Sequence, residues 1–276
     1  MMEDTAGQSV DIGNGKLRHL LALFLLNANT CTPKHWLVEH LWHSHAPRSA
    51  SSNLKTYITR LRRFGVPIAT QTDGYVITVA PSQLDADLFE NYAIDGRKAL
   101  NRGDLYEAAT ALDAATRLWR GDPLHGINLD KELSLWAERL RESFRLVTED
   151  LFEARLSLGR HREIIGPLKT WVAKNPLRER PHAQLMTALY RDGRRADALE
   201  VYRDLRNSLV MQVGLEPTSA LRELQQQILL EDSRINAEST VHMMMERART
   251  VIYGANSSVP HESKNWNPLR RRLDTG

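Results

Sequence analysis

One cysteine, Cys31, occurs among 276 residues. That excludes an internal disulfide framework and any cysteine-rich zinc site, and it fits a reducing cytoplasm. Long hydrophobic runs are missing as well. The longest, Leu20 to Leu26, is too short to cross a bilayer. Glu3, Asp4 and Asp11 precede it and have the wrong sign for a secretion signal. No Gly-x-x-x-x-Gly-Lys-Ser/Thr phosphate loop occurs, so ATP-driven switching within this chain has no support. Catalytic triads and acid/base carboxylate pairs have no counterpart either, which leaves a non-enzymatic reading with no cofactor. Nor does one sign of charge dominate: 37 Lys and Arg stand against 34 Asp and Glu, a formal charge of +3, so any charge argument must be local. What remains is 42% hydrophobic and 26% charged, the balance of an ordinary globular chain. At ~100–200 residues per domain, its length suggests about two domains.

Glycine and proline divide the chain into three stretches. The first, residues 1–82, mixes helix and strand signals. Leu17, Leu20, Leu21, Phe24 and Leu25 recur at helical spacing, so Lys16 to Asn27 is expected to be an amphipathic helix. Thr32 before Pro33 reads as an N-cap with proline in the first turn. It opens a second helix with Trp36, Leu37, His40 and Leu41 inward. A third helix follows from about Ser49 to Phe64, with Leu54, Tyr57, Ile58 and Leu61 on one face. The period then changes to two, and Ile68 to Val79 reads as two short strands around an Asp73-Gly74 turn.

The second stretch, 84–232, is helical throughout and repeats itself. Gly193 lies 34 residues after Gly159, and Arg194, Asp197, Leu199 and Tyr202 match Arg160, Glu163, Ile165 and Leu168 in kind or place. Gly103 begins a further copy with Glu107, Ala108 and Leu112. Helix, glycine turn and helix at a 34-residue period is the tetratricopeptide spacing. Each pair leaves an apolar face that only a stacked neighbour can bury. The third stretch, 233–276, is polar and without period; it reads as a disordered tail, and its Arg270-Arg271-Arg272 run as a solvated end.

Charge concentrates on the third helix. From His40 to Thr72 there is no acid, while Arg48, Lys55, Arg60, Arg62 and Arg63 are basic. Taking away the apolar face leaves Ser52, Asn53, Lys55, Thr56, Thr59, Arg60, Arg62 and Arg63 outward. Long cations reach guanine edges or phosphates, and short polar residues let a helix approach closely, which suits a DNA major groove. Arg62 and Arg63, near the helix end, are expected to be phosphate clamps. The hairpin would carry Thr70, Gln71 and Thr72 to the adjacent backbone or minor groove. A merely solvated basic face is the blander alternative; the order helix, loop, basic helix and hairpin weighs against it. His35, His40, His43 and His45 are metal-ligand types near one another, but no carboxylate or cysteine partner is evident, and surface histidines are the commoner outcome. Trp119, Trp136 and Trp171 fall at packing positions.

Leu54-x-x-Tyr57-Ile58-x-Arg60-Leu61-Arg62-Arg63 followed by Gly74-Tyr75 resembles the OmpR/PhoB-type winged helix. Leu84-Asp-Ala-Asp-Leu-Phe89, Leu118-Trp119-Arg120-Gly121-Asp122-Pro123-Leu124, Asn175-Pro176-Leu177-Arg178-Glu179-Arg180 and Gly214-Leu215-Glu216-Pro217 resemble the bacterial transcriptional activation domain of the Streptomyces antibiotic regulatory proteins. The resemblance spans residues 16–232. It implies a mainly α chain: a winged helix-turn-helix DNA-binding domain (α+β) followed by an all-α tetratricopeptide-like domain. It further implies a cytoplasmic, nucleoid-associated activator of a secondary-metabolite gene cluster. Such a protein binds double-stranded DNA as a homodimer on direct repeats and recruits RNA polymerase holoenzyme, with no membrane partner. In the family a small antiparallel sheet precedes the first helix. Only about fifteen residues precede Lys16 here, room for one strand such as Gln8 to Ile12. A truncated sheet would leave Leu17 or Phe24 partly exposed. Two rival readings remain open: a repeat scaffold whose basic helix binds protein or RNA, and a regulator gated by a ligand in the repeat domain.

Overall fold

The computed structural model describes residues 2–3, 9–10, 12–13, 15–42 and 45–231. The stretch read as a polar tail, with its arginine run, lies outside the described residues. Among those described, ten α-helices and five short strands form two compact units. Of the described residues, the first takes those up to Leu88 together with Trp119–Phe144, and the second takes Phe89–Leu118 and those from Arg145 to Glu231. No helix among the described residues is long and apolar enough to cross a membrane.

The first unit begins with two strands, β1 (Met2–Glu3) and β2 (Ser9–Val10), paired antiparallel. The expected single strand is therefore corrected to a pair. Leu17 and Phe24 are fully buried, which corrects the expected exposure. They lie on α1 (Gly15–Leu26), a leucine-rich helix buried on most of its circumference. Helix α2 (Lys34–Trp42) buries Leu37 and Leu41, and α3 (Ala50–Arg63) buries Ala50, Leu54, Ile58 and Leu61, the i, i+4, i+8, i+11 stripe of an amphipathic helix. Three strands close the unit: β3 (Thr32–Pro33), β4 (Ile68–Thr70) and β5 (Gly74–Ile77), in the order β3-β5-β4, all antiparallel.

Two local expectations change here. Thr32 and Pro33 form β3, paired with Tyr75 and Gly74, and do not cap α2. Gly74 opens β5, and the reversal is made by Gln71, Thr72 and Asp73. Glycine is needed at 74 for closeness: a Cβ there would lie 2.1 Å from the Thr32 carbonyl oxygen and 3.1 Å from Cys31 Sγ. The residues from Trp119 onward complete this core. Leu133, near the start of α6 (Lys131–Ser157), is fully buried in it, with Leu124, Ile127, Leu129 and Trp136 packed alongside. Trp119 stacks on Phe144 at 4.2 Å, and Arg141 grips Asp122 through two hydrogen bonds of 2.6 and 2.9 Å.

The second unit is helical: α4 (Asp85–Arg102) from Phe89 on, α5 (Leu105–Arg117), the later turns of α6, α7 (His161–Lys174), α8 (Glu179–Arg191), α9 (Arg195–Val213) and α10 (Ser219–Leu229). Gly103, Gly159 and Gly193 each follow a helix in the left-handed conformation, with φ of +80°, +74° and +77°. At each, the next amide donates back five residues: Asp104 to Ala99, Arg160 to Arg155 and Arg194 to Leu189, at 2.8–2.9 Å. This recurring Schellman stop satisfies the last carbonyls and turns the chain into the next helix. Helix α8 is central. Every residue from Pro181 to Leu189 is buried, against Ile164 and Leu168 of α7, Tyr202 and Leu205 of α9, and Leu221 and Leu224 of α10.

Candidate nucleic-acid interface

The outward face of α3 follows from its inward one. Once Leu54, Ile58 and Leu61 are fixed in the core, Ser52, Lys55, Thr56, Thr59, Arg60, Arg62 and Arg63 lie exposed, and Asn53 is half-buried. Arg48 is exposed just before the helix. Among the described residues, Arg48, Lys55, Arg60 and Arg63 have no carboxylate partner. Their charge is therefore open to an external anion. Three arginines in the last turn also meet the negative end of the helix dipole, which eases their crowding.

The short polar side chains are satisfied within the helix. The Thr56 hydroxyl donates to the Ser52 carbonyl at 3.1 Å and the Thr59 hydroxyl to Lys55 at 2.9 Å. Ser52 Oγ donates to the Ser49 carbonyl at 3.0 Å, and Asn53 Nδ2 to Ser49 Oγ at 3.2 Å. These bonds hold the hydroxyls close to the helix and leave their oxygens as acceptors facing outward.

Thr70, Gln71 and Thr72 are all exposed at the hairpin reversal. Two cations hold that hairpin in place. Arg62 Nε donates to the Ile68 carbonyl and Arg62 Nη2 to Thr70 Oγ1, both at 2.8 Å. Lys34 Nζ donates to the Thr72 carbonyl at 3.2 Å, and the Lys34 amide to Asp73. Arg62 thus differs from Arg60 and Arg63, because its fork is already engaged. Sequence reasoning missed Lys34, since no local pattern ties it to a carbonyl 38 residues away. Asn29 was missed too: with φ +62° it exchanges two side-chain bonds of 2.9 Å with Val79 and pins the end of the hairpin.

Among the described residues the histidines do not come together. His40 Nδ1 lies 2.8 Å from the Trp36 carbonyl and its ring stacks on Trp36 at 3.8 Å. His35 and His45 are exposed, and His43 lies outside the described residues. Among the described residues no group of three or more His, Cys, Asp or Glu is arranged to hold a metal ion.

A second concentration of charge lies inside the second unit. Glu149, Asp150 and Glu153 of α6 are buried. Arg178 Nε meets Glu149 at 2.6 Å, Arg180 Nη1 meets Asp150 at 2.7 Å, and Arg97 reaches Asp150 at 3.5 Å. Gln184 Nε2 donates to the Glu149 carbonyl at 2.9 Å and to Glu153 at 3.0 Å. Burial pushes the Glu149 carboxyl above the usual range in spite of Arg178 and Arg180. Burial likewise lowers the His182 imidazole, whose Nδ1 lies 2.7 Å from the Arg178 carbonyl. These arginines face acids of their own unit, unlike the cations of α3.

Residues 84–229 match the model of the bacterial transcriptional activator domain. Regulatory protein DnrI of Streptomyces peucetius is 36% identical over 244 residues, covering 83% of this chain and 89% of that protein. This chain belongs to the bacterial transcriptional activator domain family, in its Streptomyces antibiotic regulatory protein group. Other members are much longer: regulatory protein AfsR of Streptomyces coelicolor is 34% identical over 82% of this chain, which spans only 23% of AfsR. Among solved structures, Mycobacterium tuberculosis EmbR, in complex with a low affinity phosphopeptide, superimposes with a TM-score of 0.78 at 27% identity, over 88% of this chain and 67% of EmbR.

Proposed function

We propose that the chain is a sequence-specific DNA-binding transcriptional activator of a secondary-metabolite gene cluster, with α1–α3 and the β4-β5 hairpin acting as a winged helix. The observation that carries this reading is the α3 face: Lys55, Arg60 and Arg63, with Arg48 just before the helix, have no carboxylate partner among the described residues and stand beside short polar side chains, on a helix whose other side is locked in a core. Family membership and relatives named as regulatory proteins support it. Helix α3 enters the major groove. Arg48 and Arg63 neutralise phosphates, each worth a salt slope of about 0.9. Ser52, Asn53, Lys55, Thr56, Thr59 and Arg60 read base edges, where one good bidentate pair discriminates by about 1–3 kcal/mol. Thr70, Gln71 and Thr72 meet the neighbouring backbone or minor groove. The chain binds direct repeats as a dimer, and the helical second unit offers a surface to RNA polymerase holoenzyme.

The test is a titration of the purified chain on duplex from the promoter of its neighbouring gene cluster, with scrambled duplex as competitor, at two salt concentrations. Protection of direct repeats that survives competition is expected, and Arg60→Ala should weaken specific binding more than non-specific binding. Binding that is blind to sequence and lost in salt would overturn the operator reading.

A further inference from the structure

Arg62 has the composition of a phosphate contact and the geometry of something else. It sits in the last turn of α3 beside Arg63, and both are exposed. Yet its Nε and Nη2 donate at 2.8 Å to two acceptors on one strand, the Ile68 carbonyl and Thr70 Oγ1. A guanidinium presents its donors in a fixed planar fork, so two such bonds set the direction of the strand as well as its distance. The Ile68 amide pairs within the turn to Val66, so Arg62 adds the outer tie that the short β4 lacks. On the opposite side Lys34 holds Thr72 and Asp73. The hairpin is therefore gripped from α3 and from α2 on either side of its reversal.

We propose that Arg62 is a positioning residue, a brace that locks the hairpin to α3 so that helix and hairpin meet one duplex as a single rigid piece, and that it is not a phosphate clamp. This rests on the DNA-binding reading above. A preset angle matters because a loose hairpin must be ordered on binding, at a cost in affinity that no lost contact explains. Lysine cannot replace the brace: a single ammonium is a point charge and lacks the planar fork that spans both acceptors.

The experiment uses the full chain with Arg62→Lys, Arg62→Gln, Thr70→Val and, for comparison, Arg63→Gln. Amide hydrogen exchange over residues 68–77 is followed without DNA, and the salt dependence of duplex binding is measured. Arg62→Lys and Arg62→Gln should both speed hairpin exchange, by about tenfold for the loss of one charge-assisted pair of bonds, and Thr70→Val should do so by less. Arg62→Gln should weaken specific binding while leaving the salt slope at its wild-type value, whereas Arg63→Gln should reduce that slope by about 0.9. Two results would overturn the proposal: Arg62→Lys matching wild type in exchange and affinity, or Arg62→Gln lowering the salt slope as Arg63→Gln does. If the wild-type chain binds no duplex while Arg62→Lys still loosens the hairpin, the DNA reading and the positioning role fall together and a purely internal brace remains.

Discussion

Helices α3 and α8 are both rich in arginine, and they use it in opposite ways. On α3 the cations stand outside a core built from Leu54, Ile58 and Leu61, and Arg60 and Arg63 have no carboxylate within the described residues. At the start of α8, Arg178 and Arg180 turn inward onto Glu149 and Asp150, and the helix behind them is buried from Pro181 to Leu189. A guanidinium held by a buried carboxylate is part of the fold, because moving it exposes an unpaired charge in a poor solvent for ions. A guanidinium with only water around it is free to exchange that water for a phosphate. Arginine counts alone do not separate the two cases; the position of the nearest acid does.

The largest expected effect is on the paired side. Arg180→Met leaves Asp150, whose side chain is 3% exposed, with only Arg97 at 3.5 Å. Breaking a buried pair from one side typically costs 3–5 kcal/mol, and with Arg97 remaining about 3 kcal/mol is expected. Adding Asp150→Leu should recover much of the loss, since the cost is that of an orphaned charge. Urea unfolding of the single and double variants measures both. A double variant no more stable than Arg180→Met would mean that the pair itself, with its direct attraction, holds the helices together.

In the first unit the comparable weakness is backbone packing. Gly74→Ala puts a methyl 2.1 Å from the Thr32 carbonyl, so β3 and β5 must part. Overpacking of this kind costs about 2 kcal/mol. Thermal unfolding should show it, together with faster exchange at the Tyr75 amide. Wild-type stability in Gly74→Ala would mean that β3 is dispensable to the hairpin.

A smaller effect comes from His182. Its folded pKa is lowered, first by burial and against the pull of the Arg178 carbonyl, Glu179 and Asp204. Below its ordinary value of 6.5 the unfolded chain takes up a proton that the folded chain refuses. Stability is therefore complete above 6.5 and declines as the pH falls from there towards the lowered folded value. An NMR titration of the ring should place its midpoint below 6.5, and a midpoint at or above 6.5 would contradict the burial argument.

How much of this was legible depends on the range of the interaction that decides each element. The leucines of α1 and the stripe Leu54, Ile58 and Leu61 announce helices because each repeat lies within two turns of the next. The same holds for Gly103, Gly159 and Gly193, where a local stop needs a left-handed residue. Thr32-Pro33 misled because its local chemistry is that of a cap, while its conformation is set by pairing with residues 74 and 75. Glu149, Asp150 and Glu153 look like the solvent side of a helix until Arg178, Arg180 and Gln184, about thirty residues on, arrive to cover them. For the α3 face, the absence of acid from His40 to Thr72 was visible in the sequence, but the engagement of Arg62 with a strand was not.

The smallest expected effect makes the comparison sharpest. Arg63→Met is the same chemical change as Arg180→Met, on an exposed residue with no carboxylate partner among the described residues. Surface substitutions away from special features shift stability by no more than about 0.5 kcal/mol, and methionine keeps the helix propensity of the position. The urea midpoint should therefore stay in place while the salt dependence of duplex binding becomes shallower. A loss of stability approaching that of Arg180→Met would show that Arg63 holds an internal contact and that the α3 face is not an open one. Unchanged stability with an unchanged salt slope would instead remove Arg63 from the interface and shift the phosphate role towards Arg48 and Lys55, the cations nearer the start of the helix.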